Sequence, residues 1–189
     1  MSNEAENLGN RYRIDASRSE FTVQAFSEGM LSFMGHNPTF AVRRYGGEVQ
    51  FASGNQSVDS MLLVIETETL TLLDRVKEKD AAEIENAMLD DVLETHQFPE
   101  IVLVSKDVRM RQVAQARYVA EIVGQLSLHG IMRQNLIEVE AEINNGNLRA
   151  WGEFWLRQSD YNIKQVKALG GTLKVKDDVK ISFDITAQV

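Results

Sequence analysis

Apolar residues recur at every second position along much of this chain, and that spacing limits the fold more than any other feature. Leu136–Ile143 reads LIEVEAEI: Ile137, Val139, Ala141 and Ile143 share one face, Glu138, Glu140 and Glu142 the other. Successive side chains of a strand point to opposite sides, so this segment reads as a strand with one buried and one solvated face. The alternation returns at Phe21-x-Val23-x-Ala25, in the row Ala150, Gly152, Phe154, Leu156, and in Val179, Ile181, Phe183, Ile185. Thr39–Arg44, Glu48–Ala52, Ser60–Thr69, Ile101–Ser105 and Tyr118–Leu128 are further strand candidates. Tyr45-Gly46-Gly47 and Asn144-Asn145-Gly146-Asn147 fall at hairpin spacing, and Gly and Asn accept the positive φ of primed turns. About eight short strands with short turns predict an all-β fold, an antiparallel sandwich or barrel.

One segment departs from period two. Between Arg75 and Glu94 the apolar positions Val76, Ala81, Ile84, Ala87, Met88 and Val92 follow helical spacing. Asp80 is the expected N-cap with Glu83 three residues on, and Phe98-Pro99 stops the segment. Ile101-Val102-Leu103-Val104 is apolar at every position, so the helix is expected to cover that strand's outer face. Residues 1–10 read as a flexible tail ahead of one domain, 11–189.

Composition narrows the function. Twenty Lys and Arg against 28 Asp and Glu give a net charge of −8, which repels nucleic-acid phosphates. With no cysteine, disulfides and thiolate chemistry are excluded. The longest apolar run, Met61–Ile65, is too short to span a membrane, and MSNEAENLGN lacks a basic or apolar leader region. A cytoplasmic, non-spanning protein is the expectation.

Four motifs in order resemble the YceI-like, polyisoprenoid-binding family. They are Tyr12-x-Ile14-Asp15-x-x-x-Ser19-x-Phe21-x-Val23; the stretch from Leu89-x-x-Val92-Leu93 through Phe98-Pro99-Glu100-Ile101 to Ser105; Gly124-x-Leu126-Ser127-Leu128-His129-Gly130-Ile131-x-Arg133; and Phe154-x-Leu156-x-x-Ser159-Asp160-Tyr161-x-Ile163. Arg18 stands where the family pattern has His, Gln158 where it has Arg, Asn162 where it has Gly and Gln134 where it has Pro. The Gly35-His36-Asn37-Pro38 turn fits only some members. The resemblance implies an eight-stranded antiparallel lipocalin-like barrel with one inserted α-helix. It also implies an apolar interior holding a long isoprenoid chain, in some members a quinone or prenyl-pyrophosphate ligand, and often a homodimer; no catalytic mechanism is established for the family, and a non-catalytic carrier of a polyprenyl or prenyl-quinone type lipid is the expectation. No cofactor is expected besides such a bound lipid.

The candidate ligand-lining set is Phe21, Val23, Phe40, Val42, Leu62, Val64, Leu126, Leu128, Phe154, Leu156, Ile181 and Phe183. An eight-stranded barrel either fills its lumen with side chains or keeps a slot for one small ligand, and both outcomes need apolar inward rows. Met61–Ile65 is apolar on both parities, so its inward face stays open. Met30, Met34, Met61 and Met88 are adaptable side chains suited to an irregular ligand, though each taken singly is more commonly a filler of core gaps. Arg43, Arg44, Arg133 and Arg157, at predicted strand ends or turns, are candidates for a charged head group. His36, His96 and His129 lie too far apart in sequence to suggest a metal site. His129 is expected to hydrogen-bond its own turn, and His36 to sit in a loop. Asp90, Asp91 and Glu94 beside His96 could form an acid–base group, but such a cluster is far more commonly a charged exposed face. Gly170-Gly171 reads as a flexible pair before the last hairpin. Trp151 and Trp155 share one strand face, a partner patch if turned outward. Two other readings stay in view: a hydrolase or isomerase of a small apolar substrate in the same cavity, and a solid-core interaction module.

Overall fold

The computed structural model describes residues 10–28, 37–52, 57–168 and 173–189. Met30, Met34, His36, Gly170-Gly171 and the tail before Asn10 lie outside the described residues. In chain order the strands are β1 (Arg11–Ile14), β2 (Glu20–Gln24), β3 (Ser27–Glu28), β4 (Thr39–Val42), β5 (Tyr45–Phe51), β6 (Val58–Glu66) and β7 (Leu70–Leu72). After the helix come β8 (Glu100–Ala114), β9 (Arg117–Leu128), β10 (Ile131–Asn144), β11 (Asn147–Arg157), β12 (Lys167–Ala168), β13 (Leu173–Val175) and β14 (Asp178–Gln188).

Eight strands close on themselves in the order β1-β5-β6-β8-β9-β10-β11-β14, and β1 pairs back onto β14. All of these pairings are antiparallel. Three strand pairs are single chain runs bent in the middle: β1 into β2, β4 into β5, and β6 into β7. Their distal halves continue the wall, with β2 on β14, β4 on β2 and β7 on β4. A small sheet, β12-β13-β3, stands beside that distal end.

The ends of the barrel differ. At one end Tyr12 and Phe51, each 2% exposed, meet edge to face with ring centroids 5.4 Å apart, over Leu148 and Ala187. At the other end lies α1 (Glu78–Asn86), which runs on into a π-helical turn, Ala87–Val92. Glu94 then takes a left-handed φ of 46° and ends the helix.

Several sequence expectations are corrected here. Tyr45-Gly46-Gly47 is no turn; it opens β5. A Cβ on Gly47 would collide with the Leu62 backbone, so glycine there serves a close strand approach. Asn145-Gly146 does make a positive-φ hairpin, as does His129-Gly130. The helix is capped at Lys77 without a side-chain bond, and Asp80 lies inside its first turn. The helix does not cover the outer face of the Ile101–Val104 strand: Val104 is 37% exposed, and its cross-strand partner Leu62 is 38% exposed. β8 also runs on well past Ser105. A bulge between Ser105 and Asp107 shifts its parity, so Leu103 faces the core before it, and Val108 and Met110 pack on the core after it.

Tyr12 and Phe51 are among the largest fully buried side chains of the described residues. Phe51→Ala should therefore cost about 3–5 kcal/mol, read as a lower urea midpoint with an unchanged slope.

Candidate functional site

The inward rows do not meet in the middle. They surround a cavity of about 660 Å³ that reaches from Ile14, Val49 and Leu148 near the plugged end to α1 at the other. That volume falls within the 300–1,000 Å³ usual for small-molecule sites. Strand geometry explains the apolar wall: every second residue of β9, β11 and β14 points inward. Ile122, Leu126 and Leu128, then Phe154 and Leu156, then Val179, Ile181, Phe183 and Ile185 all line it.

Eleven of the twelve candidate liners border the cavity; Val64 does not. On β6 the inward parity is Met61, Leu63 and Ile65, all three of which line the space. Val64 lies on the opposite parity, and Leu62, which shares that parity, borders the cavity while staying largely exposed. A run apolar on both faces carried no signal of which face turned in. Met88, a candidate soft side chain, is 8% exposed and also lines the cavity.

The helix supplies the lid. Asp80, Glu83, Ile84, Ala87 and Met88 line the cavity, at spacings of three and four that put them on one helix face. The C-terminal end of the lid is tied to the barrel through His129. Its Nε2 lies 2.7 Å from Glu94 Oε2, its Nδ1 donates to the Tyr161 carbonyl at 3.2 Å, and its ring packs on Phe98 at 4.3 Å. His129 thus bonds across the fold and not within its own turn. Glu94, 35 residues away in sequence, is drawn to His129, while His96 is exposed. No group of three or more metal-ligating side chains comes together among the described residues.

The four arginine candidates do not reach the cavity, and each is engaged elsewhere. Arg43 Nε donates to Thr71 Oγ1 at 2.8 Å, and Arg44 pairs with Glu66 and Glu68 at 2.9 and 2.6 Å. Arg133 Nε donates to the Asp160 carbonyl at 2.5 Å, and Arg157 pairs with Asp177 at 3.3 Å. Arginines at strand ends met partners on their own wall. The polar residues that do line the cavity are Ser27, Asp80, Glu83 and Gln158. Gln158 continues the inward row Phe154, Leu156 by one more pleat, a signal that parity alone carries. Trp155, on the other parity, is 56% exposed and packs on Phe26 at 5.3 Å, away from the helix.

A model of the YceI-like domain matches residues 12–187. The chain belongs to the YceI-like domain family. Among solved structures it is similar to BcnA of Burkholderia cenocepacia, with a TM-score of 0.69 and 15% identity over 92% of this chain and 98% of that one. It is similar also to a polyisoprenoid binding domain of Saccharophagus degradans implicated in plant cell wall breakdown, with a TM-score of 0.69 and 13% identity over 94% and 98%. The YCEI protein of Campylobacter jejuni has a TM-score of 0.60 and 11% identity over 79% and 84%. No curated protein matches. At these identities the YceI-like neighbours share the fold. No helix among the described residues is long and apolar enough to cross a membrane.

Beyond β11 a short 3-10 turn, Gln158–Tyr161, sets Gln158 against the cavity. Asp177 anchors it: Oδ1 accepts from the Ser159 amide at 2.7 Å and Oδ2 from the Ser159 hydroxyl at 2.5 Å. The Ser159 hydroxyl, with the Ser159 amide and the Arg157 guanidinium behind it, holds Asp177 below the ordinary carboxylate value, against the opposing effect of burial. A carboxylate lowered on folding stabilises the fold above its unfolded pKa, and that contribution is lost as pH falls through the lowered value. Asp177→Asn should therefore lower the urea midpoint at pH 7, and the gap from wild type should close as pH drops below 3.8.

Proposed function

We propose that this YceI-like protein binds and carries a long apolar lipid of the polyisoprenoid type inside its barrel. The observation that carries this reading is the cavity itself: about 660 Å³ of space walled by apolar side chains, plugged at one end and lidded at the other. A prenyl chain makes no demand beyond dry room of suitable width. Each buried CH₂ contributes about 0.8 kcal/mol, so a chain of a dozen carbons gathers several kcal/mol after the cost of association. The Saccharophagus degradans domain with the same fold is named for polyisoprenoid binding, which supports the same ligand class here. Carriage fits the wall better than turnover, because Asp80 and Glu83, the ionisable liners, are exposed residues of the lid and not groups sunk among the apolar rows.

Mass spectrometry of an organic extract from natively purified protein tests the reading. A prenyl-chain lipid in about stoichiometric amount is expected. A clean extract, together with no gain in melting temperature on adding prenols, overturns it. Filling the lumen is a further test. Leu128→Trp or Phe154→Trp should abolish lipid uptake and leave the fold standing. Loss of about 1–3 kcal/mol of stability with no lipid to displace would instead mark a packed core.

A further inference from the structure

Three of the four polar residues that line the cavity among the described residues present acceptor oxygens to it, the fourth being Ser27, whose hydroxyl can donate or accept. Gln158 is 7% exposed and lines the space. Its Nε2 donates to the Lys176 carbonyl at 2.8 Å and reaches the Asp177 carbonyl at 3.4 Å. A carbonyl can only accept, so the orientation of the amide is fixed by its partners. Oε1 is then the polar atom that this side chain has left to offer, and it accepts from no described residue. Asp80 and Glu83 add carboxylate oxygens from the first turns of α1. No lysine or arginine lines the cavity among the residues whose side chains are described.

These groups gather at the lidded end. Gln158 follows the last residue of β11, whose partner Asp178 opens β14. β14 pairs with β2, β2 with β4 and β4 with β7, from which the chain passes to α1. An entering chain buries its tail among the inward rows and leaves its head beside Gln158, Asp80 and Glu83.

We propose that the cavity selects lipids whose head is an uncharged hydrogen-bond donor, such as a prenyl alcohol, and rejects their phosphorylated or carboxylate forms. This rests on the lipid-binding reading above. A hydroxyl donates to the waiting Gln158 Oε1, an acceptor on a buried side chain that no described residue meets. A diphosphate brings negative charge and only acceptors to a rim of carboxylates and an amide oxygen. The ammonium beside them, Lys79, faces Glu83 Oε1 at 3.8 Å with its side chain 85% exposed and does not line the cavity, so it does not repay the lost hydration.

Displacement of a fluorescent apolar probe from delipidated protein tests this with geranylgeraniol, its methyl ether and geranylgeranyl diphosphate. The alcohol should bind at least about tenfold more tightly than the diphosphate at low salt, where surface charge acts most strongly. The double variant Asp80→Asn/Glu83→Gln, altered only at exposed lid positions, should narrow that ratio about threefold or more. Gln158→Met should reduce the preference for the alcohol over its methyl ether, a ratio that a purely structural role for Gln158 would not move. Diphosphate binding equal to or tighter than alcohol binding overturns the proposal, as does a ratio unmoved by the double variant. If no ligand of the three displaces the probe, the lipid-binding reading itself fails, and this inference falls with it.

Discussion

The pairing of β1 on both its edges, to β5 and to β14, is the constraint from which the rest follows. Closure removes free sheet edges from that end of the wall and satisfies its backbone groups strand to strand. It also fixes the circumference. Once eight strands close, the space inside is set by geometry, and side chains either fill it or leave it open. Here the wall holds, the plug of Tyr12 and Phe51 seals one end, and the middle remains hollow.

Closure also explains why the inserted helix lies where it does. The bent strands β2, β4 and β7 flare past the point where β8 begins, since β6 meets β8 only as far as Glu66 against Glu100. That end would expose Leu126, Leu128, Ile163 and their neighbours to water. α1 and the π-helical turn that continues it lay Ile84, Ala87 and Met88 over the opening, and Glu94–His129 ties their end to the β9–β10 hairpin. The hairpin is tight enough to demand glycine: a Cβ on Gly130 would stand 2.9 Å from Phe98 at a φ of 73°. Lid, latch and hairpin thus depend on one another through Phe98 and His129.

Most of the wall was legible in the sequence because period two is a local signal. Rows such as Phe154-x-Leu156 and Ile181-x-Phe183 turn inward as their alternation requires, and four ordered motifs pointed to the YceI-like family. Four kinds of information were not local. The bulge between Ser105 and Asp107 shifts parity, so the apolar alternation of β8 breaks at Ser105 and its polar-rich continuation carries no strand signal in phase with the first half. The Met61–Ile65 run is apolar on both faces, and only its neighbours decide that Met61, Leu63 and Ile65 turn in while Val64 does not. Pairings across the fold, such as His129 with Glu94, have no spacing to betray them. Whether the lumen is hollow lies beyond any local pattern, since it depends on the summed volumes of side chains drawn from every strand.

The arginines show how far type and position can mislead. Arg43, Arg44, Arg133 and Arg157 have the right chemistry for a phosphate and stand near strand ends, yet each finds a hydroxyl, carbonyl or carboxylate on its own wall. Arg157 and Gln158 are consecutive, and strand parity sends them to opposite sides: the guanidinium outward to Asp177, the amide inward to the cavity. A one-residue offset between a basic and a neutral side chain therefore decides the charge of the lidded end. Asp177 secures that choice, because its carboxylate holds both Ser159 and Arg157 and its carbonyl lies within reach of the Gln158 amide. The same residue that draws the cation out of the barrel helps to fix the neutral acceptor within it.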